Sequence, residues 1–271
     1  MRPVVSAIVV NWNGEHVLRG CLRSLKNQSY KDIEVIVIDN GSKDQSWRMV
    51  QDILPDAKLL CLPSNEGFAA ANNRGFAIAQ GDYIALLNND ARADRKWLST
   101  LIRAAEHCPE YGMYASKVLR IDGTIDSAGC DVYKDGNGTC RGRGDSPDKH
   151  SCVQDVDFPS GCAALYRRQM INQVGFFDER FFMYNEDTDL GIRAQKAGWK
   201  CLYVPTAKVD HLYSRSSSPY SLRKLFYVER NRLLILMKHY SFLDAVTTIP
   251  WTANRYGRLL WDSARSTQKA A

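Results

Sequence analysis

The sequence predicts an α/β protein with a mainly parallel sheet flanked by helices, and three observations carry that prediction. Apolar, β-branched runs alternate with helix-period segments from Val4 to Ala105, the pattern of strand–helix units. Parallel strands need long crossovers, and right-handed helical ones dominate. Each run also ends in a cluster of Asn, Asp or Gly, so every polar cluster falls on one sheet edge. In such sheets ligands bind beyond the carboxyl ends of the strands.

Val4 to Val10 is the first strand, followed by Asn11-Trp12-Asn13-Gly14 and a helix with Val17, Leu18, Cys21, Leu22 and Leu25 on one face. Ile33 to Ile38 is the second; after Asp39-Asn40-Gly41, Ser42 and Gln45 have the spacing of a capping box before Trp47, Val50 and Leu54. Lys58 to Leu62 is the third and feeds a helix from Phe68 to Ala79. Tyr83 to Asn88 is the fourth; it breaks off into Asn88-Asn89-Asp90, and Asp94 is placed to cap a helix carrying Trp97, Leu98, Leu101, Ile102 and Ala105. Beyond a strand at Tyr111 to Leu119, the stretch from Asp122 to Lys149 holds six of the 18 glycines, which predicts a mobile loop or hairpin over the site. Strand character returns after Cys152. An aromatic run, Phe181 to Tyr184, then precedes an acidic helix start capped by Asn185, and a last strand ends in His211. Residues 214–221 read as a linker. Leu222 to Tyr240 reads as an amphipathic helix that buries Leu222, Leu225, Phe226, Leu233, Leu236 and Met237 on the preceding domain.

These elements divide the chain into a catalytic domain at 1–213, with a nucleotide-binding half up to about residue 120 and an acceptor half after it, and a basic helical segment at 214–271. A 45% hydrophobic, 24% charged composition suits a full soluble core. No run approaches the ~20 apolar residues of a spanning helix, and Met1 to Val10 is too short an apolar stretch for a signal peptide, so a cytoplasmic location is expected. The eight cysteines form no Cys-x-x-Cys pair and are expected to be reduced and metal-free. Charge is unevenly spread. From Leu190 onward there are 14 Lys/Arg against 4 Asp/Glu, net +10, leaving 22 against 26, net −4, for the first 189 residues. No nucleic-acid-binding motif accompanies the basic third, so phosphate-bearing small molecules or anionic lipid are the expected partners. Trp251, Tyr256, Leu259, Leu260 and Trp261, lying among Arg255, Arg258 and Arg265, suggest peripheral attachment to an anionic membrane from about Pro250 onward.

Two constellations carry chemistry. Asp90, at a strand end, suits Mg²⁺ or Mn²⁺, which take few protein carboxylates and let phosphate supply the rest; His211 would bias the site toward Mn²⁺. Glu186, Asp187 and Asp189 suit the positive end of a helix dipole. The aromatic wall before them would also raise a carboxyl pKa toward that of a general base.

The stretches SAIVVNWNG, VIVIDNGSKD, NEGFAAANNRG, YIALLNNDA, GFFDERFFMYNEDTDLGIRAQKAGW and ERNRL occur in order across residues 4 to about 232. Together they resemble the inverting glycosyltransferases of family 2, in particular the rhamnosyltransferase-like branch of bacterial surface polysaccharide synthesis. The resemblance implies a GT-A nucleotide-sugar fold, a divalent cation at Asp90 with a second contact from His211, and a base in the Glu186–Asp187 pair, with Asp187 preferred. It implies nucleotide contacts from Asn11, Asn13, Asp39, Asn65, Gly67, Phe68, Asn72 and Asn89. The donor would be a dTDP- or UDP-sugar, L-rhamnose first, and the acceptor a hydroxyl of a glycan or lipid-linked saccharide. Many members carry Asp-x-Asp where this chain has Asn88-Asn89-Asp90, which implies weaker metal binding. A non-catalytic sugar-nucleotide or glycan binder would be expected to have lost Asp90 or the acidic pair. A nucleotidyltransferase would be expected to carry a basic Gly-rich loop after the first strand, and Asn11 to Gly20 has no Lys or Arg before Arg19.

Overall fold

Four parallel strands at one side of a ten-stranded sheet set up the site edge: β1 (Val5–Asn11), β2 (Ile33–Asp39), β3 (Lys58–Cys61) and β4 (Tyr83–Leu87), in the order β3-β2-β1-β4. The computed structural model describes residues 4–212 and 221–257. The linker expected at 214–221 therefore lies outside the described residues apart from Ser221. Helices α1 (Glu15–Lys26), α2 (Ser46–Ile53) and α3 (Gly67–Ile78) follow the first three strands. A short β5 (Ala91–Ala93) and α4 (Trp97–His107) follow the fourth. Alternation sets which face each residue serves. Val5, Ala7 and Val9 of β1 pack in one core with Leu18, Leu22, Val50 and Trp97, whereas Ile8 packs in the other with Ala69 and Ala71 of α3.

The rest of the sheet is mixed. β6 (Tyr111–Arg120) runs beside β7 (Ile125–Ala128), and β8 (Cys130–Val132) and β9 (Gly138–Cys140) form a separate hairpin. β10 (Gln154–Val156), β11 (Ala163–Arg167) and β12 (Lys200–His211) complete the order β10-β12-β6-β11-β4, with β11 antiparallel to both β4 and β6. Between them stand α5 (Arg168–Val174), a 3-10 turn at Glu179–Phe181 and α6 (Glu186–Lys196); α7 (Leu222–His239) and α8 (Phe242–Thr247) follow, and residues 249–257 are helical.

Several local expectations are corrected. The Gly-rich stretch holds a hairpin at the site, β8–β9, as expected, but the rest is built into the sheet rather than left as a loop: β7 pairs β6, and the Lys117 ammonium donates to the carbonyls of Pro147 and Lys149 at 2.7 and 2.9 Å. Ser42 caps no helix, since α2 starts at Ser46; its hydroxyl accepts from the Asn13 backbone N–H at 2.9 Å instead. Asp94 acts one turn before α4, accepting from the Lys96 backbone N–H, and Asn185 spends its amide on the Val228 carbonyl rather than on a cap. The largest correction concerns α7. It buries Asn231, Arg232, Ile235 and Leu236, while Leu222, Leu225, Phe226, Leu233 and Met237 face solvent.

Candidate active site

The edge where β1, β2 and β4 end opens into a cleft of about 560 Å³. Its lining joins the turn after β4 (Asn88, Asn89, Asp90), the end of β12 (His211), the start of α6 (Glu186, Asp187), Asn65 of the β3–α3 connection and the first residues of α3 (Gly67, Phe68). Asn13 lines it too, in a left-handed conformation at φ 50°, with its side-chain Oδ1 accepting from the Lys43 backbone N–H. Asn11, Asp39 and Asn72 are not in the lining. Asn11 is a buried strut: its amide donates to Ser46 Oγ at 2.8 Å, and its oxygen accepts from Asn89 Nδ2 at 2.9 Å. Asp39 closes the turn after β2 by accepting from the Ser42 backbone N–H, and Asn72 donates back to the Phe68 carbonyl within α3.

Asp90 and His211 meet because β12 brings its last residue back to the β4 turn, with the Leu212 backbone N–H bonded to the Asp90 carbonyl at 2.8 Å. His211 Nε2 lies 3.3 Å from Asp90 Oδ1, and Nδ1 lies 2.9 Å from Asp126 Oδ2. Asp126, on β7, also takes the Arg143 guanidinium at 3.0 Å. Burial works to raise the Asp126 carboxyl, but the bonds from His211 and Arg143 outweigh it and hold it below its usual range. For His211 burial works downward, and the facing Cys162, Asp126 and Asp90 raise it overall. A carboxylate and an imidazole at this separation match neighbouring ligands of one octahedral ion, about 3 Å apart for bonds near 2.1 Å. Among the described residues no group of three or more His, Cys, Asp or Glu could hold a metal, so water and a phosphate-bearing ligand would complete such a shell. The donor set fits Mg²⁺ or Mn²⁺ on those terms.

Across the cleft, the Asp187 carboxylate accepts from the Gly161 backbone N–H at 3.1 Å and from the Thr188 backbone N–H at 2.8 Å. Burial raises its pKa and these N–H groups partly offset the rise. Glu186 is more fully enclosed. Its Oε2 is buried with no hydrogen-bond partner, and burial followed by the neighbouring Asp187 pushes its carboxyl well above the usual range. Asp189, the third acid of the cluster, turns away and binds Arg193, Lys238 and His239.

The loop that delivers the pair is strained. Phe182, Tyr184 and Asn185 all have positive φ, at 62°, 70° and 64°, a conformation that L-residues hold only when the surroundings fix it. Asn231 of α7 supplies that restraint, its amide donating to the carbonyls of Phe181, Met183 and Tyr184 at 2.8, 2.8 and 2.6 Å. Sequence reasoning missed Asn231, Asp126, Arg143 and Asn40. Asn231 sits in the ERNRL stretch, and Asp126 and Arg143 lie within the glycine-rich stretch. Asn40 bonds Asn65, the Gly67 carbonyl and the Glu66 backbone N–H.

Residues 6–175 match the family described as Glycosyl transferase family 2. The chain belongs to that family. It is 28% identical to an N-acetylglucosaminyl-diphospho-decaprenol L-rhamnosyltransferase of Mycobacterium tuberculosis over 243 residues, covering 80% of this chain and 78% of that protein. A UDP-Glc:alpha-D-GlcNAc-diphosphoundecaprenol beta-1,3-glucosyltransferase of Escherichia coli is 33% identical over 109 residues, 40% of this chain and 41% of its own length. The crystal structure of GalNAc-T7 with UDP, GalNAc and Mn²⁺ superposes with a TM-score of 0.70 at 14% identity, over 87% of this chain and 48% of that one. Staphylococcus aureus TarS 1–349 gives 0.59 at 17% identity, over 90% and 68%. The family 2 chain thus has the GT-A kind of fold, and its sequence is rhamnosyltransferase-like.

At the C-terminus, the sequence reading of a membrane segment from Pro250 meets two internal commitments. Arg255 binds Asp135 at 2.7 Å and Glu229, and Trp251 packs edge-on against Tyr133 with Lys134 over its ring. Arg258, Leu259, Leu260, Trp261 and Arg265 lie outside the described residues. Among the described residues no helix is long and apolar enough to cross a membrane.

Proposed function

We propose that this family 2 glycosyltransferase transfers a sugar, L-rhamnose first among the candidates, from a dTDP- or UDP-linked donor to a hydroxyl of a lipid-linked saccharide, with inversion at the anomeric carbon. The observation that carries the reading is the cleft itself, which sets the Asp90–His211 pair and the Glu186–Asp187 pair in one lining with Asn65 and Gly67. The M. tuberculosis relative, named for a diphospho-decaprenol acceptor and L-rhamnose, supports the choice of substrates.

In this reading Asp187 is the base. The Gly161 and Thr188 N–H groups fix its carboxylate, and its burial-raised pKa equips it to take the acceptor hydroxyl proton. As that proton moves to Asp187, the acceptor oxygen bonds to the anomeric carbon, the bond from that carbon to the diphosphate oxygen breaks, and the nucleoside diphosphate leaves. Asp90 and His211 would hold Mg²⁺ or Mn²⁺, which would offset charge on the departing diphosphate. Glu186 stays protonated behind the base and leaves Asp187 as the charged member of the pair. The protein works at the cytoplasmic face of an anionic membrane.

The deciding experiment incubates the purified chain with a panel of nucleotide sugars and a diphosphate-lipid saccharide, with and without Mg²⁺ or Mn²⁺, and follows nucleotide release and product. Acceptor-dependent release from one donor is expected. A chain that binds nucleotide sugars but turns none over would defeat the enzymatic reading.

A further inference from the structure

The side of α7 that faces solvent is its apolar side. Leu222, Phe226, Leu233 and Met237 are 83%, 61%, 52% and 80% exposed, and at about 100° per residue they share one sector of the helix. The side turned inward is half polar, with Asn231 and Arg232 beside Ile235 and Leu236. This inverts the arrangement of a helix held to its domain by an apolar face. The helices that follow add further exposed apolar side chains, with Phe242 and Leu243 on α8 and Ile249 beyond it all more than half exposed. Glu229 is the only acid within α7, and it is offset by Arg232 and Arg255.

The same helix borders the cleft. Ser221, Arg223, Lys224 and Val228 contribute to its lining, so the first turn of α7 joins the catalytic opening to the head of the apolar stripe. The stripe thus begins at two basic side chains, in the third of the chain that carries the net positive charge.

We propose that α7 and α8 lie in the headgroup region of an anionic bilayer, with Leu222, Phe226, Leu233, Met237 and Phe242 entering the acyl boundary. Arg223 and Lys224 then meet the diphosphate of an isoprenoid-type acceptor at the mouth of the cleft. This rests on the reading that the acceptor is lipid-linked. Charge decides for a bilayer over a second copy: basic side chains stand at the stripe's head, and the same helix on a second copy offers no counter-charge, since Glu229, the one acid of α7, is already bound by Arg232 and Arg255. A helix with basic residues beside exposed apolar ones, too polar to span, lies in the interface plane.

The test uses the full chain and vesicles of phosphatidylglycerol with phosphatidylcholine, against vesicles of phosphatidylcholine alone, with no donor or acceptor present. The unaltered chain should sediment with the anionic vesicles, and the combined variant Leu222→Gln, Phe226→Gln, Met237→Gln should partition at least about tenfold less. These side chains are exposed, so the variant should melt with the unaltered protein, and melting checks that the loss is not unfolding. Equal partitioning of the two chains would overturn the proposal. So would a concentration-dependent dimer of the unaltered chain that the variant abolishes without loss of vesicle binding. Turnover with a short-chain, water-soluble diphosphate saccharide is measured in parallel. If vesicle binding behaves as expected but no diphosphate-linked saccharide is glycosylated, the acceptor reading fails while the membrane surface stands.

Discussion

Asn231 Nδ2 lies 2.6 Å from the Tyr184 carbonyl oxygen, a single bond that ties α7 to the residue two places ahead of the acidic pair. With its bonds to the Phe181 and Met183 carbonyls, one buried amide holds a loop whose backbone would otherwise relax out of the left-handed region.

Asn231→Ala should therefore act on turnover more than on donor affinity. Orphaned buried carbonyls cost roughly 1–3 kcal/mol each, partly recovered by water, so a lower melting temperature is also expected. Asn231→Asp keeps the shape but cannot donate. If Asp187 is positioned through this latch, Asn231→Asp should lose kcat as Asn231→Ala does, with nucleotide affinity nearly unchanged. A variant with normal kcat and only a lower melting temperature would reduce Asn231 to a structural role.

Asp126 should matter to metal binding although it meets the ring nitrogen of His211 that points away from Asp90. By accepting from Nδ1–H at 2.9 Å it would orient the ring so that Nε2, facing Asp90, gives up its proton when the metal binds and ligates it. Asp126→Asn is expected to weaken Mn²⁺ binding about 10- to 100-fold, the usual cost of losing such an orienting partner. Asp90→Ala should abolish it. Manganese electron paramagnetic resonance titration of the free protein reads both effects without turnover, and transfer unchanged by excess chelator would remove the metal from the reaction.

The parallel half of the fold was legible because β1, β2 and β4 are apolar runs with polar ends, and because Leu18, Leu22 and Leu25 keep helical spacing. What the sequence did not disclose depends on long-range pairing. The glycines of 122–149 read as a loop or hairpin, and only the docking of β7 on β6 shows that the stretch also carries Asp126 to His211. Asn231 looks like any helix polar residue, and only tertiary packing aims it at three carbonyls. Capping was misplaced for a related reason: Ser42 and Asn185 have good capping chemistry, but longer-range partners claim their side chains first. The apolar stripe of α7 was legible as a pattern, and the expected direction was wrong because periodicity does not say which side meets the domain.

The acidic pair should leave a pH signature. A base raised by burial is protonated at acidic pH, so kcat should fall as pH drops through a value above the ordinary carboxylate range, and Asp187→Asn should lose about 10² to 10⁴ in rate while keeping nucleotide binding. Glu186 gives a separate effect on stability. Its folded pKa is raised above its unfolded value, so its contribution is fully present below the unfolded value, about 4.3, and is lost as pH rises through the folded one. Glu186→Gln removes that loss. The variant should gain melting temperature relative to the unaltered protein as pH rises toward neutrality. Full loss of turnover in Glu186→Gln with an active Asp187→Asn would exchange their roles.

Gly67 offers a test of how tightly the nucleotide side and the base side are joined. Its φ is +91°, and a Cβ there would stand 2.5 Å from the Phe182 ring and 2.6 Å from the Phe182 carbonyl oxygen. That carbonyl is bonded by the Ala69 backbone N–H at 3.1 Å, so α3 and the strained loop are already in contact. Gly67→Ala must shift backbone on one side or the other. Gly123 has a similar φ of +81° with nothing within 4 Å of its Cβ position, so Gly123→Ala reports backbone strain alone, on the order of 1–3 kcal/mol. If the contact with Phe182 transmits to the acidic pair, Gly67→Ala should lose both donor affinity and turnover, beyond any effect of Gly123→Ala on either. Equal kinetic constants for the two variants would show that the α3 start and the Phe182 loop can separate without consequence for the site.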